Sequence, residues 1–322
     1  MKRTTIKDLA EMLNISTSTV SRALKDHPDI SSSVKIKVRE AAETFNYVPN
    51  DFAINFRKKS SKVIGLIVPE ISMFFLPSVI KGISSVLNKE GYRFFILSSD
   101  DSYETEKEHL ETCINSRVDG ILISLTKETK DCGHLKKLKD MEVPAVIFDK
   151  SVPQNIFESV VFDNKKNAEL SAEKLISHGC RNILAIFGNE SLEITQNRKE
   201  AFLEKMKEFP DIHVHTIFCK SADIVKEQLD VLLDTHLFDG FFAMSDETLM
   251  GLHSSLIKRN LNSTNKKVVA ISEGTLPKYL DETYEYQINN GYEMGIFAAA
   301  KLMASIMTAN PAAETSNTVY YL

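Results

Sequence analysis

The chain has 322 residues, of which 43% are hydrophobic and 26% are charged, and its formal net charge is −5 at pH 7. This composition is typical of a globular protein with more than one domain, and it excludes a fibrous or disordered chain. Neither a secretory signal nor an apolar run of membrane-spanning length is recognisable, so we expect a cytoplasmic protein without membrane contact.

Charge is distributed unevenly along the chain. Residues 1–62 hold 12 Lys and Arg against 7 Asp and Glu, whereas the remaining residues hold 27 against 37. A basic N-terminal part favours contact with phosphate groups, and an acidic remainder would stay away from them. The sequence therefore predicts a basic head that meets nucleic acid and an acidic body.

The N-terminal pattern predicts two short helices separated by a tight turn. Apolar residues recur at i, i+3, i+4 and i+7 within 6–13, which gives the first helix one buried face. Thr5 and Asp8 have the spacing of a capping box, and Ser16 or Thr17 can cap the second helix. The exposed face of that second helix offers hydroxyls and two cations without a carboxylate, which suits phosphates and base edges. Its residues are Thr17, Ser18, Ser21, Arg22 and Lys25.

Three stretches resemble the opening of the lac/gal repressor family of bacterial transcription factors. They are T-I-K-D-L-A at Thr5–Ala10, S-x-S-T-V-S-R at Ser16–Arg22 and Y-V-P-N at Tyr47–Asn50. Their order favours a DNA-reading helix-turn-helix over a solvated helical hairpin, which the two-helix pattern alone would fit equally well. The resemblance covers nearly the whole chain, and it implies a homodimer that binds double-stranded palindromic operator DNA.

A third helix completes the predicted DNA-binding domain, residues 1–48. Ser31 can cap this helix, and Tyr47 closes the domain in the family pattern. The helix is expected to bury one apolar face against the first two, and fewer than 50 residues form only a small core. The residues expected on that face are Val34, Val38, Ala41, Ala42 and Phe45.

Residues 49–61 form a linker that is too short to hold an isolated helix in water. By resemblance it is a hinge helix, begun at Asn50, which orders on operator DNA and inserts an apolar side chain into the minor groove. The matching positions are Ala53 and Phe56, and Phe56 departs from the leucine that is usual in the family. Packing of Phe52 and Phe56 against the body is the alternative.

From Lys62 onward, apolar runs alternate with amphipathic stretches, which predicts parallel sheets covered by helices on both faces. The first set has strands at 63–68, 93–98, 120–124 and 143–148 and helices at 77–90, 105–116 and near 135–141. The second set has strands at 160–163, 182–187, 214–218, 240–243 and 268–272 and helices at 167–177, 194–208, 222–234 and 246–259. A helix at 292–308 and a strand at 318–322 follow.

The predicted fold is an all-α helix-turn-helix head plus an α/β core, residues 62–322, of two subdomains with doubly wound parallel sheets. This core resembles the effector-binding and dimerisation core of the same family, which is similar to type I periplasmic sugar-binding proteins. That fold has a cleft between the subdomains and assigns the helix at 292–308 to the first of them.

Ligands of open α/β sheets bind beyond the carboxyl ends of the strands, so the loops after the strands are the candidate effector site. A carboxylate and a guanidinium across a cleft can hold vicinal hydroxyls or a ligand carboxylate. By resemblance, the contacts are Phe75, Asp149, Arg198, Ser245, Asp246 and Ser272. Taken alone, Phe75 fits a core or dimer surface equally well, and single Asp and Arg residues more often cap helices or lie on the surface.

The chain departs from the family at two of these loops. Ser245 replaces the usual asparagine, and the family motif G-[FY]-D-D is replaced by A-I-S-E at 270–273, so Ser272 stands where a ligand-binding carboxylate is expected. Serine hydroxyls can bind a ligand hydroxyl, although with less charge assistance. We therefore expect a pocket whose ligand contacts differ from those usual in the family. Its ligand is a small-molecule effector, such as a sugar or sugar derivative.

No pattern in the sequence indicates catalysis or a cofactor. The four cysteines form no C-x-x-C pair, His213 and His215 lack a third metal ligand nearby, and nucleophile and phosphate-loop motifs are absent. We predict no cofactor, no metal site and no catalytic residue, and a DNA-binding transcriptional regulator, most simply a repressor, controlled by a small molecule. The alternatives are a sugar-binding receptor without a DNA role, or an enzyme that uses the cleft.

Overall fold

The computed structural model describes residues 4–47, 60–71, 74–129, 131–150, 156–261, 266–308 and 318–322. The chain divides into two compact units, residues 1–61 and residues 62–322. The expected hinge positions Asn50, Ala53 and Phe56 lie outside the described residues, as does Phe52. Among the helices that are described, none is long and apolar enough to cross a bilayer.

The head unit contains three helices, α1 (Ile6–Met12), α2 (Thr17–Leu24) and α3 (Ser32–Thr44). The predicted capping box is confirmed, because the Thr5 hydroxyl accepts from the backbone of Asp8 and the Asp8 carboxylate accepts from the backbone of Thr5. The head core is small, as expected for its length. Its buried residues are Leu9, Ala10, Val20, Ala23, Val38 and Ala42.

The structure differs from the sequence prediction at two cap positions of α3, Phe45 and Ser31. Phe45 was expected in the core, and this is wrong, because α3 ends there and the ring is 45% exposed. Tyr47, two residues further on, packs at the edge of the core instead. Ser31 occupies the N-cap position of α3, but within the described chain its hydroxyl contacts Ser33 and makes no capping hydrogen bond.

The first subdomain of the core is a six-stranded parallel sheet. Its strands are β1 (Val63–Val68), β2 (Arg93–Ser98), β3 (Gly120–Ile123), β4 (Ala145–Phe148), β5 (Glu158–Val161) and β11 (Val319–Tyr321). Its helices are α4 (Phe75–Lys89), α5 (Tyr103–Asn115), α6 (Lys136–Asp140) and α12 (Gly291–Met307), with a 3-10 turn at Gly133–Leu135. The strand order is β11-β5-β4-β3-β1-β2. Alternate residues of β1 point to opposite faces, so Leu66 packs under α4 and α12, whereas Ile67 packs under α5.

The second subdomain is a five-stranded parallel sheet, again with helices on both faces. Its strands are β6 (Asn182–Phe187), β7 (His213–Phe218), β8 (Gly240–Ala243), β9 (Lys267–Ser272) and β10 (Glu285–Ile288), in the order β10-β9-β8-β6-β7. Its helices are α7 (Asn164–Ser177), α8 (Glu193–Lys207), α9 (Ala222–Thr235), α10 (Asp246–Lys258) and α11 (Pro277–Leu280).

The structure corrects the sequence prediction in the crossover segments. The strand expected at 160–163 is β5 at Glu158–Val161, and it pairs with β4 and β11 of the first sheet, not with the second sheet. The segments α11 and β10 were missed, because the half-buried run E-Y-Q-I lacks the apolar pattern of a central strand.

The assignment of the long C-terminal helix to the first subdomain is confirmed. Helix α12 packs against α4, and a Cβ atom added to Gly295 would lie 2.1 Å from the carbonyl oxygen of Val79. This approach is too close for a larger residue, so glycine is required at the crossing. The chain therefore returns from the second subdomain to the first before it ends.

Candidate DNA-reading face and effector cleft

Helix α2 exposes the face that the sequence assigns to DNA. Its apolar residues Val20 and Ala23 are fully buried in the head core, so the opposite side of the helix faces solvent. Helix α2 contains no acidic residue, and the surface it offers to an anion is therefore hydroxylic and cationic. Thr17, Ser18, Arg22 and Lys25 are exposed, and Ser21 is half-buried.

The acidic residue that follows α2 forms ion pairs with α3. Asp26 lies 3.2 Å from Lys35 Nζ and 3.1 Å from Arg39 Nη2. The hydrogen bond from Lys35, with the charge of Arg39, lowers the pKa of the Asp26 carboxyl. Both cations belong to α3, so Asp26 is paired within the head and leaves Arg22 and Lys25 as the charges at the end of α2.

The other described head positions have structural contacts of their own. Thr5 forms the capping box of α1, and Ser16 caps α2 by accepting from the Thr19 amide at 3.1 Å. Ser31 contacts Ser33, and the Tyr47 amide donates to the Ala42 carbonyl at 2.8 Å. Partial burial raises the pKa of the Tyr47 hydroxyl.

A cavity of about 640 Å³ lies between the two subdomains of the core. Its walls are the loops that follow β3, β4 and β5 and the first turns of α7 and α8, which is the position expected for a ligand in open α/β sheets. The polar residues on its surface include Lys127, Asp149, Lys150, Asn164, Lys165 and Glu193.

Arg198 of α8 is a buried, hydrogen-bonded cation beside this cavity, and only 4% of it is exposed. Its Nε and Nη2 atoms donate to Asn164 Oδ1 at 3.0 and 2.7 Å, and Nη1 donates to the Met244 carbonyl at 2.6 Å. Burial lowers the pKa of the guanidinium to about 10, against the opposing effect of the carboxylates of Asp149 and Asp246. Arg198 therefore links the first residue of α7 to the segment before α10 by hydrogen bonds.

Asp149 projects from the end of β4 into the same region. Its backbone lies in the left-handed region at φ 69°, a conformation that aspartate tolerates better than most residues. Burial raises the pKa of its carboxyl, whereas the charges of Lys150 and Arg198 lower it. The sequence-predicted pair Asp149 and Arg198 is thus close enough for each to influence the ionisation of the other.

Ser245 and Asp246 lie at the start of α10, and Asp246 is hydrogen-bonded to Ser272 at the end of β9. Ser245 caps α10 with Thr248 in a reciprocal capping box. The Ser272 hydroxyl donates to Asp246 Oδ1 and accepts from the Gly274 amide at 2.9 Å, while the Glu273 amide donates to Asp246 Oδ2 at 2.9 Å. Burial raises the pKa of Asp246, and these hydrogen bonds oppose that shift. The serine that replaces the expected carboxylate therefore serves as a partner for Asp246.

Phe75 lies at the start of α4 and contributes to the core. Its ring packs edge-on against Phe162, with the ring centroids 6.0 Å apart, and Phe162 also lines the cavity. Phe75 thus supports an apolar part of the cavity wall from behind.

Sequence reasoning missed three residues that shape the cleft. Asn164 accepts hydrogen bonds from Arg198, but the sequence predicts a helix start at Asn167, so Asn164 falls outside the predicted helix. Ser78 of α4 donates to Glu273 Oε1 at 2.7 Å, which joins the first subdomain to the loop after β9. Only the Asp163-Asn164 pair, a typical helix start, offered a local signal.

A fully buried carboxylate fixes the loop after β3. Glu106 of α5 accepts hydrogen bonds from the Thr126 amide at 2.7 Å, the Thr129 hydroxyl at 2.9 Å and His134 Nε2 at 2.8 Å. Thr126 and Thr129 line the cavity, so Glu106 holds that wall in place without reaching the cavity itself.

The described residues contain no group of three or more His, Cys, Asp or Glu side chains arranged to hold a metal ion. Each of the four cysteines is buried, and burial raises the pKa of every one of these thiols.

Comparison with known proteins defines the class of the chain. Residues 5–50 match the model of bacterial regulatory proteins of the lacI family, and residues 64–310 match the model of a periplasmic binding protein domain. This is the domain organisation of a DNA-binding regulator with a ligand-binding core. The chain belongs to the lacI family of bacterial regulatory proteins.

Similar proteins include repressors of sugar operons. The chain is 30% identical over 249 residues to the ribose operon repressor of Halalkalibacterium halodurans, covering 77% of this chain and 73% of that protein. It is 28% identical over 317 residues to the ribose operon repressor of Bacillus subtilis, covering 97% and 94%. It is also 28% identical over 287 residues to the sucrose operon repressor of Streptococcus mutans, covering 87% and 85%.

Solved structures share the fold. The lac repressor dimer bound to operator and the anti-inducer ONPF matches with a TM-score of 0.84 at 19% identity, covering 100% of this chain and 96% of that chain. A periplasmic binding protein/LacI transcriptional regulator from Alkaliphilus metalliredigens, complexed with D-xylulofuranose, matches with a TM-score of 0.67 at 23% identity, covering 81% and 94%. The predicted fold class, a helix-turn-helix head plus a two-subdomain α/β core, is confirmed.

Proposed function

We propose that this chain represses transcription by binding palindromic operator DNA as a homodimer, and that a sugar or sugar derivative bound in the cleft controls this binding. The observation that carries the proposal is the exposed face of α2, hydroxylic and cationic, within a domain that matches the lacI family. The sugar-operon repressors among its relatives support a sugar as the effector. Acting on DNA, the protein would work in the cytoplasm and have no catalytic role.

In this proposal the head residues divide into reading and supporting groups. Arg22 reads a base, most simply guanine through its O6 and N7 acceptors, and Thr17 and Ser18 read its neighbours. Thr5, Ser16, Ser21, Lys25, Ser31 and Tyr47 contact or position the phosphate backbone. Residues 1–48 are the DNA-binding domain, residues 49–61 the hinge and residues 62–322 the effector core.

The cleft is the proposed control site. Asp149 and Arg198 bind the effector from opposite subdomains, with Asp246, Ser245 and Ser272 behind them and Phe75 in the apolar wall. Effector binding shifts the equilibrium between two arrangements of the subdomains by its difference in affinity for them. The Ser78–Glu273 hydrogen bond, 2.7 Å long, is an interdomain contact that such a shift would affect.

The hinge positions follow from the family resemblance. Asn50 would begin the hinge helix, and Ala53 and Phe56 would enter the minor groove, where Phe56 acts as the wedge. Phe56→Ala should reduce DNA bending in a circular-permutation gel shift and weaken operator binding while leaving base preference intact. Unchanged bending would show that the ring packs elsewhere.

A gel shift tests the proposed function directly. The full chain is titrated onto palindromic DNA from upstream of its own gene and onto a scrambled sequence of equal length, with and without candidate sugars. We expect preferential binding to the palindrome and a change in affinity with one sugar. A receptor without a DNA role would bind sugar and treat both DNA sequences alike.

A further inference from the structure

Lys62 is the first residue of the core unit, and it follows directly on the linker, residues 49–61. It lies one residue before β1, and its main chain is hydrogen-bonded to the strands on both sides of β1. The Lys62 amide donates to Asp119 Oδ2, just before β3, at 3.2 Å. The Lys62 carbonyl accepts from the amide of Arg93, the first residue of β2, at 3.0 Å. The point where the linker joins the core is therefore tied to two neighbouring strands.

The side chain of Lys62 is held as well as its main chain. Its Nζ atom lies 4.0 Å from the centroid of the Tyr92 ring, and a cation over an aromatic face is attracted to that ring. Tyr92 is only 5% exposed and belongs to the core of the first subdomain, so the ring is a fixed platform. The Lys62 backbone lies in the left-handed region at φ 56°, a conformation that is uncommon for lysine and persists where the surrounding contacts hold it.

The second subdomain contains the same main-chain junction without the ring. The Arg181 amide donates to Asp239 Oδ2, just before β8, at 2.9 Å, and the Arg181 carbonyl accepts from the His213 amide at 2.7 Å. Ile212 stands where the first subdomain has Tyr92, and Arg181 does not have a positive φ. Among the described residues, the Arg181 guanidinium lies over no aromatic ring.

This internal comparison separates two roles at the Lys62 junction. The main-chain hydrogen bonds occur in both subdomains, so they serve the sheet. Of the two junctions, the one that receives the linker has in addition the ammonium group over a buried ring and the left-handed backbone. These two features fix the direction of the chain at Lys62 and are not needed to build the same junction at Arg181.

We propose that Lys62 is a positioning residue for operator binding, because its ammonium group, held over Tyr92, fixes the direction in which the linker leaves the core. This inference rests on the proposed DNA-binding function. A fixed exit limits the arrangements open to the chain ahead of Lys62, so less conformational entropy is lost when the two heads of a dimer bind their half-sites together. Operator affinity then depends on a side chain that does not itself contact DNA.

The test measures binding of the full chain to the palindrome from upstream of its own gene and to scrambled DNA of equal length, by fluorescence anisotropy. Lys62→Met removes the ammonium group and keeps a long unbranched side chain. We expect it to weaken palindrome binding about tenfold, because the ring contact is lost once in each subunit of the dimer. Lys62→Arg keeps a cation that can lie over the ring and should bind within about twofold of the wild type.

Arg181→Met is the matched control for a general effect on the fold. It removes the cation at the corresponding junction of the second subdomain, which does not receive the linker. We expect Arg181→Met to leave palindrome binding unchanged. The Tm of each variant is measured on the same preparations, and Lys62→Met should lower it by no more than about 2 °C. A purely structural role would instead lower the Tm and palindrome binding together and show no rescue by arginine.

A direct contact between Lys62 and a DNA phosphate would also weaken binding in Lys62→Met, and two measurements distinguish it. Loss of a phosphate contact weakens binding to palindrome and scrambled DNA alike and reduces the salt dependence of the affinity. The positioning role predicts unchanged salt dependence and a loss confined to the palindrome. Tyr92→Leu removes the ring but keeps the cation, so it should weaken palindrome binding as Lys62→Met does, measured well below its Tm.

Three results would overturn the inference. The first is wild-type palindrome binding by Lys62→Met, and the second is an equal loss in Arg181→Met. The third is a reduced salt dependence in Lys62→Met with full binding by Tyr92→Leu, which would make Lys62 a phosphate contact. Failure of the proposed function has a different signature, because the wild type itself would then bind the palindrome and the scrambled DNA alike.

Discussion

The proposed DNA-reading face and the proposed effector cleft hold their polar side chains in opposite ways. On α2, Thr17, Ser18 and Arg22 are exposed and project from a helix that is anchored by its other face. In the cleft, Arg198 and Asp246 are buried and bound to neighbouring loops. Substitutions on α2 should therefore change recognition with little effect on folding, whereas substitutions in the cleft should change both.

The largest effect is expected for Arg198→Ala. The substitution leaves Asn164 Oδ1 and the Met244 carbonyl without their donor and removes the cation beside two carboxylates. Breaking a buried charged network in this way should lower the free energy of unfolding by about 3–5 kcal/mol, measured by urea denaturation. Lys199→Ala, one residue along α8, is the control. Equal free energies of unfolding for the two variants would show that the hydrogen bonds of Arg198 do not stabilise the fold.

Local sequence signals predicted the head well, because its structure depends on neighbouring residues. The Thr5–Asp8 capping box and the spacing of Leu9, Ala10 and Val20 determine where the helices begin and which face they bury. The predicted core position of Phe45 failed where the helix ends, since periodicity does not show where a chain leaves a helix.

The core shows what local signals cannot provide. Apolar runs revealed that strands exist, but the sheet to which β5 belongs depends on pairing with β11, more than 150 residues away. Family resemblance indicated Asp149 and Arg198. It did not indicate Asn164 or the Ser78–Glu273 contact, because those arise from long-range packing. The sequence predicts that the Ser272 hydroxyl binds a ligand hydroxyl, and in the structure this hydroxyl donates to Asp246 Oδ1.

Thr5 and Ser31 both occupy N-cap positions in the head, but of these two only Thr5 forms a capping hydrogen bond through its side chain. Thr5→Ala removes a formed cap and should cost about 1 kcal/mol, seen as faster amide exchange in α1 by about fivefold. Ser31→Ala should change exchange less, because its hydroxyl contacts only Ser33 in the described chain. If Thr5→Ala weakens operator binding without faster exchange, Thr5 contacts DNA directly.

The smallest expected effect is a pH dependence at Asp149. Burial raises its pKa above the ordinary value of 3.8, so the folded state binds a proton more tightly than the unfolded chain. Wild-type stability therefore falls as pH rises from 3.8 through the folded pKa, and Asp149→Asn removes this titration. Relative to that variant, the wild type should gain stability as pH is lowered through the window. Glu193→Gln, an exposed carboxylate on the same cavity, is the control, and a gain with rising pH would contradict the account.

The central claim is that the exposed face of α2 reads DNA sequence. Fluorescence anisotropy with the wild type, Arg22→Ala and the control Lys37→Ala, an exposed cation of α3, on an operator and its single-base variants, tests it most directly. We predict that Arg22→Ala loses about 1–3 kcal/mol of operator binding and loses base preference at one symmetric pair of positions, with its stability unchanged. Equal weakening on every sequence, including scrambled DNA, would contradict the claim and reduce Arg22 to a phosphate contact.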